Sequence, residues 1–247
     1  MPYRRLPITD VDRTSALDEA FNKAAVTPAA QRPFSAAQYD PLVAQRTLWK
    51  AAIKAAAAAL GAQTTATNRA ETLGQSLEQL ISHFFQVFNL AVARGYYPAS
   101  ARAYYQLDVS SAEAPVITSH AGRLAWAQNL LDGEAARQTA EGAAYKPMAM
   151  PRAAEVSAAL AAYLPAHETA STAKNAYDLA QEAVQNLRPA VDAAILDLWD
   201  TIEYTFRHDD PASLRRKARE WGVVYVSRPG ETPDPEPTPT PTPPPNN

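Results

Sequence analysis

Between residues 73 and 91 the apolar side chains step by alternating fours and threes: Leu73, Leu77, Leu80, Phe84, Val87 and Ala91. That spacing keeps a stripe on one side of an α-helix, the seam of a coiled-coil-like bundle. Ile81, Phe85 and Phe88 widen the stripe, so the apolar arc approaches half the helix and requires two neighbours. A second run steps by threes and fours, also at helical spacing: Tyr177, Ala180, Val184, Leu187, Val191, Ile195, Leu198, Ile202 and Phe206. The two stretches that carry these runs, 41–94 and 151–207, are nearly equal in length. As continuous rods at about 1.5 Å per residue, each reaches roughly 80 Å. The fold class expected is all-α: an elongated bundle of long Ala-rich helices, a short C-terminal helix–strand appendix and a disordered Pro-rich tail.

Composition agrees. The chain is rich in Ala and holds only eight Gly, which favours helix on intrinsic propensity. Its net charge of −3 supplies no overall field to attract nucleic acid or anionic lipid. The absence of Cys removes disulfides, thiolate chemistry and Cys-ligated metals together. The opening MPYRRLPITDVD has no apolar stretch of secretory type, and the long uncharged run at 55–68 is too polar to span a bilayer. A soluble cytoplasmic protein without cofactor or membrane partner is expected.

Four segments follow: an N-terminal arm and short helix at 1–34, the bundle at 35–209, a basic helix and strand at 210–228, and a Pro/Thr-rich tail at 229–247. In the first, Asp10 or Asp12 caps a helix whose face carries Leu17, Phe21 and Ala24. Asp40-Pro41 reads as the next helix start, with Val43, Trp49, Ile53, Ala56 and Leu60 at helical spacing. Gly61 and the Thr-rich run after it point to a bend. Gly95 provides a left-handed C-cap, and the Tyr pairs of GYYPASARAYYQLD suit a connector with rings buried and hydroxyls wet. Thr118 or Ser119 caps a helix with Leu124, Ala127 and Leu131 on one face, its end loosened by Gly133 and Gly142. Pro165 and Pro189 are expected to kink or split the last long helix, which begins with Val156, Leu160 and Tyr163. Asp210-Pro211 caps a short helix that Gly222 closes, and VVYVS is the one convincing strand.

Catalytic chemistry is weakly signalled. None of His83, His120, His167 and His208 stands in an ExxH or HExxH spacing, so no di-iron bundle site is expected. Asp197, Asp200 and Glu203 lie one turn apart, with His208, Asp209 and Asp210 beyond, but any solvated acidic helix face shares that spacing. No Ser sits in a GxSxG elbow and no Gly-rich loop follows a strand. The chain is read as a non-enzyme; an enzyme would need carboxylates or His converging in a cleft between helices.

The C-terminal region carries the partner signals. Arg215, Arg216, Lys217 and Arg219 crowd beside Trp221, and the strand residues Val223, Val224, Tyr225 and Val226 need an edge to pair with. Either the arm, Tyr3, Arg4, Arg5 and Leu6, or a second copy of the chain can supply that edge. These residues are the candidate contacts for self-association, with the acidic stretch 197–210 or the acidic tail as a counter-surface. Deleting residues 223–227 is expected to spare helicity and abolish large species. The alternative is a nucleic-acid-binding or regulatory adaptor in which the four basic residues track phosphates.

The stretches RRLPITD, SHFFQVFNLAVARGYYPASARAYYQLD and SLRRKAREWGVVYV resemble a bacterial all-helical protein family of about this length, uncharacterised in activity. The resemblance covers most of the chain apart from the tail. It implies a bacterial cytoplasmic protein and supplies no site residues. The function expected is that of a self-associating structural protein, a homo-oligomer or polymer such as a filament subunit.

Overall fold

A computed structural model describes residues 2–231. Its elements are strand β1 (Tyr3–Arg4), helices α1 (Asp10–Val26), α2 (Ala36–Ala93), α3 (His120–Glu141), α4 (Ala153–Thr205) and α5 (Pro211–Arg219), and strand β2 (Tyr225–Val226). Short 3-10 turns at Ala29–Gln31, Ala99–Tyr105 and Gly142–Ala144 lie in the connections. The fold is all-α, and its long helices hold 58 and 53 residues. No helix among the described residues is long and apolar enough to cross a membrane. The expected Pro-rich tail lies, from residue 232 on, outside the described residues. The described residues form two compact units, 2–56 with 180–231, and 57–179; α2 and α4 contribute to both.

In the first unit α1 starts at Thr9, not at either Asp. The Thr9 side chain accepts from Asp12 N–H while Asp12 accepts from Thr9 N–H, a reciprocal box that satisfies two open donors. Asp10 instead turns outward to Arg188 at 2.8 Å and to Arg13 at 3.2 Å. The hydrogen bond from Arg188, with both guanidinium charges, holds its carboxyl below the usual range. Leu17, Phe21 and Ala24 pack into a core with Trp49, Val191, Ile195, Trp199 and Ile202. Residues 1–34 and 210–228 belong to this same core through Ala16, Ala218, Trp221 and Val223. Gly222 takes φ +87°, and Val223 N–H reaches back to Ala218 O at 3.2 Å to end α5.

The second unit packs Leu77, Ile81, Phe84, Phe85 and Phe88, all fully buried, against Tyr105, Ala127, Leu130, Val156 and Tyr163. Val87, expected in the seam, is instead 41% exposed. A straight helix drifts about 20° per heptad against a 3.5 repeat, so the buried face moves on to Phe84, Phe85 and Phe88 and leaves Val87 at the edge. After α2, Gly95 (φ +76°) and Tyr96 N–H, bonded to Ala91 O at 2.9 Å, form the expected left-handed stop.

The proline and glycine breaks do not occur. α2 begins at Ala36, carries Pro41 inside it and runs through Gly61; α4 runs through Pro165 and Pro189. The carbonyls these prolines leave without an N–H belong to Ala37, Ala161 and Gln185, all exposed, so water satisfies them. Gly133 likewise interrupts nothing: α3 continues to Glu141.

Candidate functional site

The C-terminal residues meet their partners within the first unit. β2 pairs antiparallel with β1, Tyr3 opposite Val226 and Arg4 opposite Tyr225, and Arg5 N–H extends the ribbon to Val224 O at 2.9 Å. The arm thus supplies the edge that the strand needs. Arg4 reaches Asp200 at 2.6 Å and Glu203 at 2.9 Å, and the Tyr225 hydroxyl donates to the same Glu203. Burial, then that bond, raises the Tyr225 pKa above the ordinary phenol value. Lys217 pairs with Asp209 at 2.7 Å, Arg216 donates to Ser213 at 3.0 Å, and Arg219 lies over the Tyr225 ring. Arg215, Trp221 and Val223 are buried, whereas Leu6 and Val224 are exposed. Of the opposite charges that suggested contact between copies, Lys217 and Asp209, and Arg4 with Asp200 and Glu203, are joined inside one chain. Deleting residues 223–227 would therefore remove core and ribbon together, and cannot isolate association.

The second unit holds a polar network that sequence reading missed. Arg137 is fully buried on α3, and Glu134 one turn before it is 6% exposed. Arg137 donates to Glu134 at 2.8 Å and to Lys146 O at 2.9 Å, and its guanidinium sits between the Tyr97 and Tyr145 rings at 4.6 and 4.7 Å. Tyr105 donates to Glu134 Oε1 and Tyr145 to Oε2 at 2.6 Å. Burial and then the carboxylate push the Tyr145 hydroxyl up to about 12 and raise that of Tyr105 further. Burial alone would lower the Arg137 pKa; the Glu134 bond and charge more than offset it, so the guanidinium stays charged. Glu134-x-x-Arg137 was visible as one turn of α3, and the mid-helix Gly133 beside it signalled a close approach. A Cβ at Gly133 would lie 2.4 Å from Tyr105 Cδ1 and 2.8 Å from Tyr104 O. Gly133→Ala, stabilising in an exposed helix, is thus expected to lower the urea midpoint, by about 1–3 kcal/mol of overpacking.

Above this network lies a groove of about 270 Å³ between the end of α2 and the 146–150 segment. Its walls include Val87, Ala91, Tyr96, Tyr97, Pro147 and Met148. Tyr97 is held firmly: its hydroxyl donates to Lys146 O at 3.1 Å and its ring stacks on Phe88 at 5.6 Å. Tyr96 and Met150 are each 75% exposed, and Val87 in the same wall is 41% exposed. Apolar side chains this exposed and this close together are unusual on a monomer surface.

The same unit contains stacked imidazoles, His120 and His167, with centroids 3.5 Å apart. His120 Nδ1 bonds the Tyr163 hydroxyl at 2.8 Å, and Arg123, which pairs with Glu71 and Glu78, stands one turn on. Burial, then the charges of His167 and Arg123, lowers the His120 pKa. Between its lowered folded value and about 6.5, the unfolded chain binds more protons than the folded one. Stability is therefore complete above about pH 6.5 and lost as the pH falls through the folded value. Urea midpoints measured from pH 7.5 to 5 should decline on the acid side, and less so in His120→Gln.

A larger depression, about 580 Å³, lies in the first unit over Phe34, Leu42 and Leu198, rimmed by Asp197, Asp200 and Thr201. Its Asp200 is already held by Arg4. Among the described residues no group of three or more His, Asp or Glu is placed to hold a metal ion. Comparisons with protein-family models, curated proteins and solved structures each return no match.

Proposed function

We propose that this chain is a non-enzymatic, self-associating structural protein of the cytoplasm, a subunit of an assembly such as a filament. One observation carries the reading: the exposed apolar groove surface of Val87, Tyr96 and Met150, beside the backbone of Lys146 that Arg137 holds. A docking face of this kind costs little ordering on binding, because Tyr97 and Lys146 are already fixed beneath it. The contact thus moves from the strand and basic helix to the end of α2. The adaptor alternative draws less support, since Arg4 and Lys217 are engaged by carboxylates and Arg215 is buried.

Light scattering over a concentration series tests the proposal. Full-length protein is expected to form large species that Met150→Glu disperses while far-ultraviolet circular dichroism stays unchanged. A monomer at every concentration overturns it.

A further inference from the structure

We infer that the groove formed by Tyr96, Tyr97 and Met148 receives the Pro-rich segment 232–247 of a second copy of this chain. The inference rests on the self-association proposed above and names what docks. Three arguments favour this occupant.

The first is shape. From Pro233 to Pro243 every second residue is Pro, so the segment favours an extended left-handed helix with little entropy to lose on binding. Extended proline segments are taken up by aromatic-lined grooves, where rings stack on the prolines. Here Tyr97 is fixed as one wall and the exposed Tyr96 stands next to it in sequence.

The second is charge. Residues 232–247 contain Asp234 and Glu236 and no Lys or Arg. The groove includes exposed Lys146, with Arg94 two residues before Tyr96 and Arg152 two after Met150. Against them stands Glu155, whose carboxylate accepts from Arg152 N–H at 2.8 Å.

The third is symmetry. Each chain carries one such groove and one such segment, and the two are different stretches of sequence. A contact of that type is head-to-tail, and it propagates into an open string unless its rotation closes a ring.

A fluorescent peptide of residues 229–247, titrated with full-length protein and followed by anisotropy, tests the inference. Saturable binding that weakens with added salt is expected, reduced about tenfold in Tyr96→Ala. Excess unlabelled peptide should disperse the large species seen by light scattering. Absent binding, or equal affinity for Tyr96→Ala, overturns the inference. So does binding that leaves the large species intact, which would place the segment in its own chain's groove. If large species form but the peptide neither binds nor disperses them, self-association stands and this occupant is wrong. A full-length protein that is monomeric throughout removes both.

Discussion

Glu134→Ala is expected to lower the stability of the second unit by about 3–5 kcal/mol, the loss seen when one member of a buried ion pair is removed. The carboxylate accepts from Arg137, Tyr105 and Tyr145 at once. Without it a guanidinium with no exposure keeps its charge and, among the described residues, is left with Lys146 O, Glu141 and the Tyr105 hydroxyl as acceptors. Glu134→Gln should cost less, since an amide oxygen still accepts, but it forfeits the charge. Double substitution of Glu134 and Arg137 by apolar residues of similar volume should recover most of the loss, because the stranded charge is then gone. Urea unfolding of the four proteins, followed by Tyr fluorescence, measures all of this. Equal losses for the single and double variants would show that packing, not charge, sets the cost.

In the first unit the largest loss is expected from Trp49→Ala, about 3–5 kcal/mol. The Trp49 ring is fully buried between α1 and the core of α4, and its indole N–H donates to Thr14 Oγ1 at 2.9 Å. Trp49→Phe should retain much of the packing and lose that bond. Trp199 offers the contrast: it too is fully buried, but its indole nitrogen has no hydrogen-bond partner among the described residues. Trp199→Phe removes an unsatisfied donor along with some volume, so its cost should fall below that of Trp49→Phe. The comparison by urea midpoint needs no assumption about absolute stability.

Periodicity made much of the fold legible. Leu17, Phe21 and Ala24 of α1, and Val184, Val191, Ile195, Leu198 and Ile202 of α4, are buried on the face their spacing indicated. Local chemistry marked Thr118 or Ser119, and Asp210, as caps; Ser119 and Asp210 accept from the first turn of their helices. Proline failed as punctuation because its cost depends on whether the freed carbonyl meets water, and that is decided by tertiary placement. Val87 was misassigned because a seven-residue stripe and a 3.6-residue helix part company within two heptads. The Glu134–Arg137 spacing was visible, but not its burial, because the hydroxyl of Tyr105 that completes the network arrives from another segment. The pairing of β2 was left between the arm and a second copy, since backbone edges carry no label in a sequence.

The ribbon of β1 and β2 joins residues from opposite ends of the described chain. A covalent bond between positions 3 and 226, which lie opposite each other, would turn that length of polypeptide into a ring. Because the chain has no Cys of its own, a pair introduced there would have nothing else to exchange with. Such a ring restricts the unfolded chain over nearly all its contour, so its benefit would fall on both units although the bond touches only one.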